Sequence, residues 1–329
     1  MNSENEKNFS TTLAPMCGLT TRNFFDILFD FGEPSEYISE FLRVHPTSIV
    51  SKEIIDLIKN RKSPRPLSIQ LLGRDSKHIC RITEQLNSYQ CNGINLNLGC
   101  PVPKIRKKGV GGSLLLELDT ADAIISALLN SSNLPITVKT RIGYEYPSEF
   151  DEILQHLSRH NISKLYLHGR TVKGLYEECV DFECVKLAKA ELSCQIIANG
   201  NIGTAWEAMK VIGETHADGV MIGRAAISNP WIFRQIGELS QQSQIFVPSG
   251  TDYLDYIGRI KKIESGIVRS EQRLLSAIKK YAVPIANFVD HVGNFSHKIR
   301  RTESLREFSH ACEKFFMGPD FNCPTDAER

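Results

Sequence analysis

Eight times in the first 240 residues, a short run of β-branched and apolar residues is followed by a longer stretch with helical periodicity. The runs fall at 11–16, 35–39, 66–71, 92–97, 135–140, 163–168, 195–199 and 218–222. Several, such as ITVK, KLYLH, QIIAN and GVMIG, are largely apolar, as parallel strands covered on both faces should be. Between them, 75–89, 119–130, 149–160 and 203–213 read as helices, with Asp75, Asp119 and Ser148 placed as N-caps. Eight β-then-α units in about 230 residues match a (β/α)8 barrel. A doubly wound sheet uses fewer strands and carries G-x-G-x-x-G after the first, where this chain has APMCGLT. The fold expected is α/β, a (β/α)8 TIM barrel followed by a C-terminal all-helical domain.

The pattern changes after Trp231 and Phe233. Residues 239–251 are rich in Gln, Ser, Pro and Gly and read as a linker. Beyond them no strand signal remains, and 252–267, 270–290 and 293–316 read as three helices interrupted near Pro284 and Gly293. The expected organisation is a disordered N-terminus at 1–10, a barrel at 11–238, the linker, and a helical domain at 252–329.

Composition excludes a disordered, collagen-like or supercharged chain: 41% of residues are hydrophobic, 23% charged, and the net charge is +1. Near-neutrality gives no long-range attraction to polyanions, so a nucleic-acid role requires a local basic patch. One exists, because residues 259–301 hold ten Lys or Arg against three acids, an excess of seven positive charges that the total conceals. Lys279-Lys280-Tyr281 and Lys298-Ile299-Arg300-Arg301 lie there on helical segments, which suits a phosphate backbone or a solvated helix face equally. Nine cysteines, an odd number without a C-x-x-C pair, argue for a reduced cytoplasmic interior and against a metal site. No apolar run approaches a signal peptide or a membrane span.

A barrel places its chemistry at the C-terminal strand ends. Those ends carry Pro15-Met16-Cys17, Gln70, the NLNLGCP run, Lys139 and Arg141, His168 and Arg170, Asn199-Gly200-Asn201 and Gly223-Arg224. Gly200 and Gly223, with Arg224 opening a helix, form either a phosphate cradle or two tight turns. Lys139 ends a buried strand, where it meets an electron-rich cofactor or a structural partner. Gln70 and His168 carry the same two readings. Cys100 lies between Gly99 and Pro101, next to Lys104, Arg106, Lys107 and Lys108. That positive surrounding favours thiolate and suits acid–base or nucleophilic work. The other eight cysteines read as small hydrophobic residues.

These strings together resemble the tRNA-dihydrouridine synthase family, of the bacterial, FMN-dependent type. LAPMCGLT, NLNLGCPVPKIRKKGVGGSLL, ITVKTRIG, LYLHGRT, DFECVKLAK, IIANGNI and ADGVMIGRAAISNPWIF occur in the family's order. The resemblance implies a flavoprotein in which NADPH or NADH reduces FMN. The flavin then delivers hydride to C6 of a uridine in tRNA, in the D-loop. It implies Cys100 as the general acid at C5, with flavin contacts at Pro15, Met16, Cys17, Gln70, Lys139, His168, Asn199, Gly200, Asn201, Gly223 and Arg224. Asn97 is implied as a flavin or uracil contact. RNA contacts are expected at Lys104, Arg106, Arg141, Arg170, Tyr176, Lys298, Arg300 and Arg301. The chain departs from the family pattern at Cys17, where Ala is usual, at Asn201, where an acid is common, and at Gly174, where Gln is frequent. A cytoplasmic monomer without metal or membrane partner is expected. The rival readings are another FMN-barrel oxidoreductase acting on a free pyrimidine, as a dihydroorotate dehydrogenase does, or a tRNA-binding module without catalysis.

Overall fold

Eight parallel strands close into a barrel in the computed structural model, which describes residues 9–290, 292–319 and 321. They are β1 (Ser10–Leu13), β2 (Glu36–Ile38), β3 (Leu67–Leu72), β4 (Gly93–Leu98), β5 (Ile136–Gly143), β6 (Lys164–Thr171), β7 (Gln195–Asn199) and β8 (Gly219–Ile222). All eight coincide with the runs read from sequence. Each pairs in parallel with the next, and β8 returns to β1 with Leu13 beside Ile222. A further two-residue strand, Leu42–Arg43, pairs with the end of β3.

Helices follow the strands for a simple reason: each carries one apolar stripe that must be covered. In Ser76–Leu86 the buried Ile79, Ile82, Thr83 and Leu86 recur at helical spacing, and the Asp75 carboxylate accepts from the His78 N–H as an N-cap. The other two expected caps are corrected. The helix Leu118–Ser131 starts one residue before Asp119, and Phe150–Leu157 is entered through a 3₁₀ turn at Pro147–Glu149. There the Glu149 carboxylate takes the N–H groups of Tyr144 and Tyr146, a role that Ser148 does not fill.

Inside the barrel, Ala14, Ile38, Tyr166, Ile197 and Met221 pack as one apolar cluster. Around the N-terminal strand ends lies a polar knot centred on Glu36. Its carboxylate accepts from Tyr166 OH and Thr12 Oγ1, both at 2.8 Å, and from Lys164 Nζ at 2.6 Å. Burial pushes the Glu36 carboxyl up, but the Lys164 charge and these hydrogen bonds outweigh it and hold the carboxyl below its ordinary range.

By its internal contacts the chain forms two compact units, one holding all eight strands and the other holding 23–33, 203–207 and the chain from Gly223 onward. The second unit is helical. Trp231 meets Phe31, Tyr253 and Tyr256 edge-on, and Tyr256 OH donates to the Ile227 carbonyl at 2.9 Å. These contacts explain why residues after 222 belong with the helices, although the barrel was expected to run to 238. The stretch without helix is 241–249, since helices occupy Ile232–Ser240 and Gly250–Ile267.

Two expectations about the later helices fail. Pro284 does not interrupt Glu271–Val289. The face formed by Tyr281, Ala282, Ile285, Ala286 and Val289 is buried on both sides of the proline, and that packing offsets the missing backbone donor. The expected helix 293–316 is two helices, Asn294–Arg301 and Leu305–Phe316. Between them Ser304 caps the Glu307 N–H while the Glu307 carboxylate accepts from the Glu303 N–H, which starts a new helix. Gly293, at φ 81°, stands at the break as the N-cap of Asn294–Arg301, while the preceding helix is already capped at Asp290.

Replacing Glu36 by Gln leaves Lys164 without its counter-charge and should cost about 3 kcal/mol, read from the urea unfolding midpoint. The folded-state pKa of Glu36 is depressed, so its contribution is present above the ordinary carboxylate pKa. Wild-type stability should therefore fall as pH drops through the lower folded-state value, and the variant should lose that part of the pH dependence.

Candidate active site

The NLNLGCP run turns sharply at the end of β4, and one side chain shapes the turn. Asn97 Oδ1 accepts from the N–H groups of Gly99 at 3.1 Å and Cys100 at 3.0 Å. Its Nδ2 donates to Gln70 Oε1 at 2.8 Å, and Gln70 Nε2 donates to Asn95 Oδ1 at 2.8 Å. Gln70 is fully buried, with both ends of its amide engaged. Beyond Cys100 the chain forms one helical turn at Pro103–Arg106 and returns as Gly111-Gly112. A Cβ on Gly111, whose φ is +64°, would sit 3.0 Å from the Cys100 Cβ, and one on Gly112 would strike Val172 at 2.6 Å. The glycine run therefore serves close packing around the cysteine.

The electrostatics of Cys100 differ from the sequence expectation. Burial raises its thiol above the ordinary value, more than the Val102 N–H, Lys139 and Arg141 lower it. Lys104, Lys107 and Lys108 point to solvent, and Arg106 donates to Tyr144 OH at 3.3 Å. The basic loop thus does not make a thiolate; at neutral pH Cys100 carries its proton. The expectation for the remaining cysteines is also corrected in part, because Cys17 and Cys179 are exposed while Cys91, Cys184 and Cys312 are buried. Cys323 lies outside the described residues.

Register brings the other strand-end groups around the mouth. Lys139 is level with Asn97 on one side, and His168 is level with Arg141 and Asn199. The Lys139 ammonium donates to Asn199 Oδ1 at 3.3 Å, and no carboxylate pairs with it among the described residues. Burial, then the Arg141 charge, lower its pKa to about 8, against an opposing pull from Cys100. Although the residue retains some exposure, its charge is poorly hydrated and unpaired. Asn199 Nδ2 is anchored on the Met221 carbonyl at 2.8 Å.

Arg141 and Arg170 are buried, at 1% and 2% exposure, and serve the loop after β6. Arg141 donates to the carbonyls of Thr171 and Leu175, both at 2.6 Å, and stands 5.3 Å from the Tyr176 ring. Burial lowers its pKa to about 10, so it stays charged at neutral pH. Arg170 donates to the Glu178 carbonyl and lies 3.4 Å from His168 Nε2. Both guanidiniums were expected to meet RNA; in the structure each donates to backbone carbonyls of the loop after β6. Tyr176 is exposed, its ring 6.3 Å from that of His168.

Gly200, at φ +124°, lies directly over His168; a Cβ there would come within 2.7 Å of the imidazole. Asn201 follows in the left-handed region at φ 45° and is exposed. In the turn after β1, Met16 N donates to Thr20 Oγ1 and Gly18 N to Glu40 Oε1. Glu40 was not foreseen: burial raises its carboxyl, against the Gly18, Leu19 and Thr20 N–H groups that it holds. Pro15 and Met16 are half-buried. Gly223 and Arg224 belong to the helical unit, where Arg224 is exposed and opens a helix of five residues, Arg224–Ser228. So short a helix offers little dipole, and any anion contact there rests on the Arg224 side chain and nearby N–H groups. Lys298, Arg300 and Arg301 are exposed in the last turn of Asn294–Arg301, a favourable place for cations in any helix.

Among the described residues Asp119, Asp122 and His156 are close enough to share a metal ion. Asp122 is instead occupied by His156 at 2.6 Å, His160 at 2.9 Å and Arg159 at 3.1 Å, a clamp between two outer helices. No helix among the described residues is long and apolar enough to cross a membrane.

The dihydrouridine synthase (Dus) family model matches residues 12–316, across both units. The chain belongs to this family. Similar relatives include the tRNA-dihydrouridine synthase B of Vibrio cholerae, 31% identical over 258 residues and covering 78% of each chain. Those of Proteus vulgaris and Escherichia coli K12 are 32% and 30% identical, each covering 71% of this chain and 73% of the relative. Among solved structures, histamine dehydrogenase from Rhizobium sp. 4-9 is similar in fold, with a TM-score of 0.52 at 12% identity. The likeness covers 71% of this chain and 46% of that one, and it bears on the barrel alone.

Within this family member, Gly200→Ala should cost about 2 kcal/mol, because a left-handed backbone and a 2.7 Å contact with His168 coincide. A urea unfolding midpoint equal to that of wild type would contradict the packing described.

Proposed function

We propose that this chain is a tRNA-dihydrouridine synthase that reduces the C5–C6 double bond of a uridine in tRNA, with Cys100 as the proton donor. The observation that carries this reading is a half-buried thiol on the turn that Asn97 shapes at the barrel mouth, in the field of a lysine that donates to the neutral Asn199; burial pushes that thiol up. A protonated thiol is what a general acid must be at neutral pH. Membership of the dihydrouridine synthase family supports the same chemistry.

The residues present fit FMN. Among the described residues Lys139 offers a positive charge that meets a neutral acceptor, Asn199, and so favours an anion. His168, Asn199 and Gly200 form the adjoining wall, and Glu40 accepts from the Gly18 N–H directly after the Pro15–Cys17 turn. Gln70, Asn201, Gly223 and Arg224 enter this assignment by their positions in the family pattern. FMN held by these residues would supply, once reduced by NADPH or NADH, the hydride for C6 of the uracil. Cys100 holds a proton at Sγ for delivery to C5, and Lys139 and Arg141 favour the thiolate left behind, which solvent then reprotonates. To reach this depth the uridine leaves its stack. Lys104, Lys107 and Lys108 in one unit, and Lys298, Arg300 and Arg301 in the other, offer exposed charge to tRNA phosphates. In this reading the protein acts as a cytoplasmic monomer. The free-pyrimidine alternative is not favoured, since it leaves the basic helical segment without a task.

Cys100→Ala should retain bound flavin and tRNA affinity but lose dihydrouridine formation by about 10²-fold or more. The measurement is nucleoside mass spectrometry of tRNA incubated with the purified protein and NADPH. Product at near wild-type rates would remove the general-acid assignment, and a flavin-free, colourless protein would remove the reductase reading. Lys139 titrates near 8, so FMN affinity should weaken as pH rises through that value. Lys139→Ala should bind FMN weakly at pH 7 and show no such pH dependence in a fluorescence titration.

A further inference from the structure

The polar chain that ends at Cys100 has a direction, and both of its ends are fixed by backbone groups that cannot reverse. At one end the N–H groups of Gly99 and Cys100 can only donate, so Asn97 must turn its oxygen toward them and its amino group toward Gln70. Gln70 must then accept on Oε1 and donate from Nε2 to Asn95 Oδ1. Asn95 in turn donates from Nδ2 to Thr137 Oγ1 at 2.8 Å. At the far end the Ile94 carbonyl can only accept, and it takes the Thr137 hydroxyl proton at 3.3 Å. Read from either end, the three amides and the hydroxyl have the same orientation. Gln70, Asn95 and Thr137 are each under 5% exposed, so water cannot supply a substitute partner at those links.

We infer that Thr137 and Asn95, neither of which touches the reacting groups, are positioning residues: they anchor the far end of the amide row that holds Asn97 in place, and thereby the turn that aims the Cys100 thiol. The inference rests on the proposed role of Cys100 for its effect on turnover, but not for its effect on the thiol itself. Removing the Thr137 hydroxyl leaves the buried Asn95 amino group without its partner, so Asn95 shifts toward another acceptor and loosens its hold on Gln70 Nε2. Gln70 then no longer holds the Asn97 amino group in place, and the side chain that ties the Gly99 and Cys100 N–H groups shifts with it.

The test uses the full-length holoprotein. Thr137→Val keeps the shape of the strand and removes the hydroxyl. We expect it to lower kcat for dihydrouridine formation about tenfold or more, as small misplacements of a reacting group do, with the flavin spectrum and KM for tRNA unchanged. Independently of turnover, alkylation of Cys100 by iodoacetamide at pH 8, followed on its own peptide by mass spectrometry, should speed up at least about threefold as the thiol gains water. The midpoint of its pH profile should move down toward that of a free cysteine. Thr137→Ser restores the hydroxyl and should recover both readouts. If Thr137→Val does not fold, Thr137→Ala removes the same group with less crowding and is judged by the same two readouts. Wild-type alkylation in the valine variant, or failure of serine to recover it, would overturn the inference. An altered alkylation profile in a protein whose Cys100→Ala form still makes dihydrouridine would uphold the relay while rejecting the general-acid reading.

Discussion

A closed parallel barrel leaves its interior dry, and most of what is distinctive in this chain follows from that constraint. Strands covered on both faces can carry an inward polar side chain only if another inward side chain satisfies it. The barrel meets the condition in two separate places. Near the N-terminal strand ends one carboxylate gathers a lysine, a tyrosine and a threonine. Further along the strands amides pair between β3 and β4, the last of them rests on a threonine hydroxyl of β5, and a lysine rests on an asparagine. The apolar cluster of Ala14, Ile38, Tyr166, Ile197 and Met221 contributes the intervening packing.

The two polar regions differ in what they leave unfinished. Glu36 and Lys164 satisfy one another, so that region is neutral and closed. Lys139 and Cys100 do not: among the described residues one is a cation resting on a neutral amide, the other an acid whose thiol is pushed up because its conjugate base would be poorly hydrated. An interior that tolerates such groups has been shaped for something that completes them, and perturbed groups of this kind concentrate where chemistry is done.

Much of this was legible in the residues. The eight strands could be read because fully buried parallel strands are continuous apolar runs, and the site could be placed because the exceptions fall at their C-terminal ends. The protonation state of Cys100 was not legible. Neighbours in sequence suggested a positive field, whereas Lys104, Lys107 and Lys108 extend into water and the thiol faces inward. The role of Asn97 was only half visible. Alternating amides in INLNLG mark an inward polar row, but which partner each takes depends on the register of β3 and β5. Pro284 misled for a related reason, since a local rule about proline gave way to packing on both sides of it. Ser304 and Glu307 did carry a readable helix start, hidden within a longer amphipathic pattern.

The loop after β6 bears on how a nucleic-acid base could be accommodated. Its carbonyls at Thr171, Leu175 and Glu178 are the partners of two buried guanidiniums. Swinging that loop aside would break the hydrogen bonds that two buried guanidiniums donate to its carbonyls, which costs more than breaking neutral contacts. The wall carrying Tyr176 is therefore stiff, and the protein has little freedom there to mould itself around a guest. Deformation must come from the other partner. A flexible, weakly stacked stretch of RNA would bend to such a wall with less work than a regular helix, so rigidity in the protein becomes a preference for pliancy in what it binds.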